Sequence, residues 1–324
     1  MSSAESCPII TVVPTFLILD TFNFLHRAYH AFPDTFKDRD GNPTNAVYGV
    51  SSMLLNVLTK YQLEYVAAAF ESKEKENFRA AEFVGYKAHR PEMEDNLRVQ
   101  IPLVEKVFDA VGVKRLTLEG FEADDVIGCL SKLPATTSPT ALTPLTTLIV
   151  SNDQDMLQLV NSQVKVLAPG LGAIKEALYD EAAVVAKYGF RPAQMVDYKA
   201  LRGDPSDNIP GVFGIGEKTA KDLIKQFGTV EEIYKNLDKV ERLSVRTKLA
   251  EGAEIAMQSK YLATIKCDLP IPVTLEDLLL PPDWKQRASV IFQELGFKSL
   301  VSRLSNSLIS PIAPITPEGQ LELL

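Results

Sequence analysis

Phe16-Leu17-Ile18-Leu19-Asp20 is a short, unbroken apolar run closed by a carboxylate. Such a run reads as a strand buried on both faces, as a parallel sheet requires. The pattern recurs. YVAAAF, Tyr65 to Phe70, ends at Glu71, and Leu148-Ile149-Val150 leads into Asp153; Val113 to Leu118 is a further strand candidate. Between these runs, apolar residues at helical spacing predict helices over Asn45 to Tyr61, Gln100 to Val111 and Glu122 to Leu133. Alternating strands and helices predict a parallel α/β sheet. Asp20, Glu71, Asp153 and Asp155 then stand just after strand C-termini, the edge where open sheets bind ligands.

From about Tyr179 the character changes. Short helix candidates follow one another: Glu181 to Tyr188, Pro192 to Arg202, Lys218 to Phe227, Val230 to Leu237 and Arg246 to Ile265. The expected organisation is an α/β domain over 15–178 and a helical domain over 179–304. Residues 1–14 and 305–324 read as a disordered tail and as a tail or linker. Lys73 to Arg98 reads as a mobile, partly helical excursion, and Pro134 to Thr146 (PATTSPTALTPLT) as a loop.

The 324 residues are 46% hydrophobic and 23% charged, enough for a real core. No run of eighteen apolar residues predicts a membrane span. Cys7, Cys129 and Cys267 are odd in number and far apart, which argues against a disulfide framework or zinc site and for a reducing, intracellular compartment. The net charge of −8 taken alone argues against a nucleic-acid binder. That total misleads if acids gather at one site and bases elsewhere.

The acids do gather. Glu122-Ala123-Asp124-Asp125 opens a helix, Asp153-Gln154-Asp155 follows a strand, and Asp204-Pro205-Ser206-Asp207 precedes a glycine-rich turn. With Asp20 and Glu71 they make nine carboxylates. Hard oxygen donors in such a crowd suit Mg²⁺ or Mn²⁺, and only three histidines are present for a zinc site. Singly, each acid is as well explained as a helix cap or a partner of a helix dipole. Caps need one acid each, however, not Asp-x-Asp and Glu-x-Asp-Asp at one sheet edge. Two ions about 4 Å apart, held by such a set, can activate water and stabilise a leaving oxygen in phosphodiester cleavage.

Gly211-Val212-Phe213-Gly214-Ile215-Gly216-Glu217-Lys218-Thr219 is neither a P-loop nor a dinucleotide fingerprint, because Glu217 stands where a lysine belongs and helices surround the turn. It reads as a helix–hairpin–helix turn offering backbone N–H groups to a DNA phosphate. Lys218, Lys221 and Lys225 add charge behind it. Phe78-Arg79 and Tyr86-Lys87-Ala88-His89-Arg90, flanked by Lys73, Lys75 and Arg98, mix aromatic and basic side chains as single-strand binders do. An ordinary solvated charged face is the alternative.

Together these motifs resemble the 5′–3′ exonuclease domain of bacterial DNA polymerase I and the flap endonuclease family, from about Phe16 to Leu304. The resemblance rests on Asp20, Ala46-Val47-Tyr48-Gly49, Tyr86-Lys87-x-x-Arg90, Glu122-Ala123-Asp124-Asp125, Asp153-x-Asp155 and Gly203-Asp204-x-x-Asp207 through Thr219. It implies a PIN-like α/β domain with a helical arch, followed by a helix–three-turn–helix DNA-binding domain. It implies one metal site mainly from Asp20, Glu71, Glu122, Asp124 and Asp125, and another from Asp153, Asp155, Asp204 and Asp207. Lys87 and Arg90 match catalytic arch bases. Arg79, Tyr86, Gly211, Gly214, Ile215, Gly216, Lys218, Thr219 and Lys221 are the DNA-binding candidates, with K⁺ at the Gly211–Gly216 turn. The implied substrate is DNA with 5′ flaps, nicks or 5′ ends, RNA-primed ends included. A DNA polymerase in cis or trans is the implied partner, and the cytoplasmic nucleoid the implied place.

Two features depart from the family pattern: Pro134 to Thr146 is loose for the connection between helix and strand, away from the motifs, and Glu71 stands where Asp is common. Its extra methylene shifts the carboxylate outward, but Glu still binds Mg²⁺, so reduced or retuned activity is expected rather than loss. The alternative of a non-catalytic, structure-specific DNA-binding protein has Glu71 as its only support, and the intact Asp153-x-Asp155 pair weighs against it. A PIN-type ribonuclease is a third reading, against which the Gly-Ile-Gly turn argues.

Overall fold

The computed structural model describes residues 15–306, apart from 39, 62, 73–76, 138–144 and 171–174. The expected terminal tails therefore lie outside the described residues, except for 305 and 306. In chain order come β1 (Thr15–Asp20), α1 (Thr21–Ala31), α2 (Asn45–Lys60), β2 (Leu63–Ala69), α3 (Phe78–Glu82), α4 (Asp95–Arg98), α5 (Ile101–Val111), β3 (Lys114–Leu116), α6 (Ala123–Thr137) and β4 (Thr146–Val150). There follow β5 (Val164–Ala168), β6 (Ala177–Tyr179), α7 (Glu181–Tyr188), α8 (Met195–Arg202), α9 (Glu217–Phe227), α10 (Val230–Lys235), α11 (Leu243–Glu251), α12 (Ala253–Ala263), α13 (Trp284–Glu294) and α14 (Lys298–Asn306).

The sheet order is β3-β2-β1-β4-β5-β6. All pairs are parallel except β5 with β6, so an antiparallel edge strand closes a sheet expected to be wholly parallel. β1 shows why its sequence is unbroken. Phe16 and Ile18 enter one core cluster, while Leu17 and Leu19 enter another, as a period of two demands. The first cluster joins α6 to α8, α9, α11 and α12. The second joins α2 and α5 to α13 and α14 through Phe108, Leu54, Trp284, Phe292 and Leu300. The last two helices thus pack back against the α/β half.

The connection order reverses between β1, whose successor β2 lies on one side, and β4 on the other. That switch point opens a crevice at the strand C-termini. The helix expected over Arg246 to Ile265 is two helices, α11 and α12, broken at Gly252. A Cβ there would meet Val212 Cγ1 at 2.7 Å, so the break is where the helices close on the hairpin. The expected loop after Pro134 begins later, because α6 continues to Thr137. Proline in a last turn forfeits only one helical hydrogen bond, and 138–144 lie outside the described residues. Among the described residues no helix is long and apolar enough to cross a membrane.

Candidate active site

Asp20 ends β1 and caps α1, its carboxylate accepting from Asn23 N at 3.2 Å. Ser151, just past β4, donates to Asp20 Oδ2 at 2.6 Å and accepts from Asp153 N at 2.9 Å. Asp153 in turn caps the 3₁₀ turn Gln154–Leu159, accepting from Asp155 N at 2.8 Å. The reading of these acids as caps therefore holds for Asp20 and Asp153. Capping fixes each carboxylate by one oxygen at the switch point.

Glu71 follows β2, and Glu122 and Asp124 open α6. These three, with Asp20, Asp153 and Lys87, line one cleft of about 2230 Å³. That is larger than small-molecule sites, which run to about 1,000 Å³, and suits a polymer. Burial and mutual repulsion mark the group electrostatically. Burial, then repulsion from Glu122, pushes Glu71 up to about 7. Burial lifts Asp20 to about 6 against the hydrogen bonds from Ser151 and Asn23. Asp124 is held well above the usual carboxylate range by burial and by Asp153 and Asp20, and Asp153 is raised by burial.

Cations answer this charge. Lys87 Nζ donates to Glu122 Oε1 at 2.7 Å and lies 3.7 Å from Asp207 Oδ2. Its backbone is left-handed, φ 53, and its N–H donates to Asp207 O at 2.9 Å. A non-glycine residue held in that region is strained, and such strain collects at functional sites. Arg90 Nη2 donates to Asp207 Oδ1 at 2.5 Å, and Tyr86 OH donates to Glu122 at 2.8 Å and Asp207 at 3.2 Å. The chain from α3 to Arg90 thus folds over the carboxylates. Lys73 and Lys75 lie outside the described residues.

Asp155, Asp204 and Asp207 do not line the open cleft. Asp155 and Asp204 share the buried Lys199 of α8, which contacts Asp155 Oδ1 and donates to Asp204 Oδ2 at 2.5 Å. Burial alone would raise Asp204, but Lys199 outweighs it and holds the acid below its ordinary value. Lys199 escaped the sequence reading. Its spacing of five residues before Asp204 was the available signal.

Four DNA-binding candidates prove to be buried. Arg79 is 2% exposed and Tyr86 5%, both packed against acids, and Ile215 is 3% exposed in the core. Gly211 is also buried. A Cβ there would stand 2.2 Å from Gly203 N, so Gly203 and Gly211 meet backbone to backbone and close the loop that carries Asp204 and Asp207. Gly214, Gly216 and Lys218 are exposed, Thr219 is half-buried, and Lys221 pairs with Glu217 at 2.6 Å. Phe213, not singled out in the sequence, is 93% exposed at the hairpin tip.

Among the described residues no three acid, imidazole or thiol groups converge closely enough to hold an ion as they stand. The donor chemistry nonetheless fits hard divalent cations: five carboxylates line one cleft, and burial raises the pKa of Asp20, Glu71, Asp124 and Asp153, with the Lys87 ammonium beside them. A cation must displace protons from these groups. Its affinity is therefore expected to rise as pH climbs through the range set by Asp20 at about 6 and Glu71 at about 7. Calorimetry with Mn²⁺ in buffers of differing ionisation heat should register proton release, and a pH-independent affinity would contradict the assignment.

Comparison with known proteins finds relatives of this chain. A family model for the 5′–3′ exonuclease N-terminal resolvase-like domain matches residues 15–189, and one for the 5′–3′ exonuclease C-terminal SAM fold matches 190–286. DNA polymerase I of Caldicellulosiruptor bescii is 43% identical over 293 residues, covering 90% of this chain and 33% of its own. DNA polymerase I of Bacillus subtilis is 36% identical over 288 residues, covering 89% and 32%. The chain thus spans about a third of the length of these relatives. T5 5′-exonuclease, solved with bound divalent metal ions (zinc), superposes with a TM-score of 0.61 at 21% identity, over 91% of this chain and 98% of its own. The catalytic core of Rad2 in complex with DNA substrate gives 0.56 at 12%, over 91% and 93%. These two likenesses establish the fold.

Proposed function

The chain belongs to the 5′–3′ exonuclease family, and from that premise we propose that it hydrolyses phosphodiesters at the 5′ side of DNA as a metal-dependent 5′–3′ exonuclease and 5′-flap endonuclease. The observation that carries the reading is the gathering of Asp20, Glu71, Glu122, Asp124 and Asp153 on one large cleft, with Lys87 above them. Flaps, nicks and RNA-primed 5′ ends are the proposed substrates. A DNA polymerase in cis or trans is the proposed partner, in the cytoplasmic nucleoid. The polymerase I relatives at 36–43% identity support the polymerase link.

Asp20, Glu71, Glu122, Asp124 and Asp153 would hold Mg²⁺ or Mn²⁺, with Asp155, Asp204 and Asp207 on the side of a second ion once Lys199 yields. Such ions, when bound, lower the pKa of water and neutralise charge on the leaving oxygen. The protein's own groups do the rest. The Lys87 ammonium, 2.7 Å from Glu122, is placed to meet the scissile phosphate over the carboxylates. Arg90, half-exposed beside Asp207, steers the phosphate from the rim. Gly214, Gly216 and Lys218 present N–H groups and charge to the duplex backbone. K⁺ at this turn belongs to the same reading, since the Gly214 carbonyl already attracts the Lys248 ammonium at 3.2 Å.

The test compares a 5′-flap duplex, the same duplex with a 3′ flap, and single-stranded RNA. Cutting confined to the 5′-flap substrate, near its junction, is expected. Preference for the RNA would favour the ribonuclease alternative. Duplex affinity should also fall steeply with salt despite the net charge of −8. Three to five phosphate contacts would give a slope of about −3 to −4.5 in log K against log salt. A flat response, read by anisotropy in EDTA, would contradict contacts through the hairpin.

A further inference from the structure

Asp125 stands one residue from Asp124 yet has a different environment. Its carboxylate is 0% exposed and absent from the cleft wall. Each oxygen already accepts two hydrogen bonds. Oδ1 accepts from Arg79 Nη2 at 2.7 Å and Lys266 N at 2.8 Å, and Oδ2 from Arg79 Nη1 at 2.7 Å and Glu122 N at 3.2 Å. Arg79 is equally committed. Beyond its bidentate pair with Asp125, Nε donates to Leu262 O at 2.9 Å, Nη2 to Thr264 O at 2.9 Å, and Nη1 to Glu122 Oε2 at 3.2 Å. A guanidinium has five N–H donors, and these contacts engage all of them.

We propose that Asp125 is the counter-ion of Arg79 and not a metal ligand, and that the pair is a positioning device. It ties α3, at the foot of the segment over the cleft, to α6 and to the end of α12, and it aims Glu122 at the cleft. Glu122 differs in a way that matters. It lines the cleft, and one of its donors is the Lys87 ammonium on a flexible stem, which can leave when an ion arrives. The donors to Asp125 are two backbone N–H groups and a guanidinium whose remaining N–H groups are already engaged by Leu262 O, Thr264 O and Glu122. An ion at Asp125 would strand buried donors, which is costly.

The inference rests on the proposed nuclease reading for its catalytic arm alone. Mn²⁺ binding, read by calorimetry and electron paramagnetic resonance without DNA, should stay within twofold in Asp125→Asn and fall more than tenfold in Asp124→Asn. Asp125→Asn should melt several degrees lower. If it fails to fold, the paired replacement Arg79→Met with Asp125→Leu removes both charges together and should still bind Mn²⁺. A positioning role adds a signature that loss of stability does not. Arg79→Lys should lower turnover in the unsubstituted background and add almost nothing in a Glu122→Gln background. Loss of Mn²⁺ binding in Asp125→Asn equal to that in Asp124→Asn, or additive effects of Arg79→Lys and Glu122→Gln, would overturn the proposal. Failure of the unsubstituted chain to bind Mn²⁺ would instead refute the nuclease reading, and the melting comparison would still judge the ion pair.

Discussion

Asp153→Ala is expected to lower turnover on a 5′-flap duplex by about 10²- to 10³-fold or more, on the scale of losing one preorganised electrostatic group, while duplex affinity in Ca²⁺ changes less than about threefold. Asp153 is raised in pKa by burial, faces the cleft, and is fixed by its cap on the following 3₁₀ turn. Phosphate is an anion, so removing a carboxylate takes no attraction from DNA. What it removes is oxygen donation to a cation. The lost cap costs about 1 kcal/mol of stability, so a thermal melt must accompany the kinetics. Turnover within threefold of the parent, in a folded variant, would contradict the metal-site assignment.

Lys87→Ala should lower turnover by about 10²-fold, in the range for a positioned group acting on transition-state charge, with a smaller effect on affinity. The side chain is mostly buried against Glu122 and Asp207, and its backbone is locked at φ 53 by Asp207 O. Alanine there keeps the strain of the left-handed region, on the order of 1 kcal/mol. Lys87→Gly removes both strain and ammonium, and so separates backbone from charge. Both variants should be equally slow if the ammonium is the acting group. A loss confined to affinity would show that Lys87 is a binding contact.

How much of this was legible follows from where each signal lies. FLILD announced a strand buried on both sides because each successive residue meets a different core cluster. The edge strand Ala177–Tyr179 is three half-buried residues and carries no such run. The spacing of Trp284, Ala288, Ile291 and Phe292 was readable as one helical face, but the intervening charges masked it. At the site, acids after strands could be placed because a parallel sheet brings strand ends together. The partners of charges could not. Arg79 looked like a DNA contact because sequence shows a base beside an aromatic. Only packing reveals that the start of α6 and the end of α12, with the residues adjoining them, supply it with five acceptor atoms. Lys199 and Asp155 meet across separate elements for the same reason.

The central claim is that the carboxylate cleft cuts DNA with divalent metal. Its most direct measurement is cleavage of an end-labelled 5′-flap duplex in Mg²⁺, in Mn²⁺ and in EDTA, beside the cleft-lining variant Asp153→Ala. Cutting near the flap junction in either metal, abolished by EDTA and by the substitution, is the predicted result, and it would show that Glu71 serves where Asp is common. Tight flap binding with no cutting in either metal would contradict the account and make the chain a structure-specific DNA-binding protein on a nuclease fold.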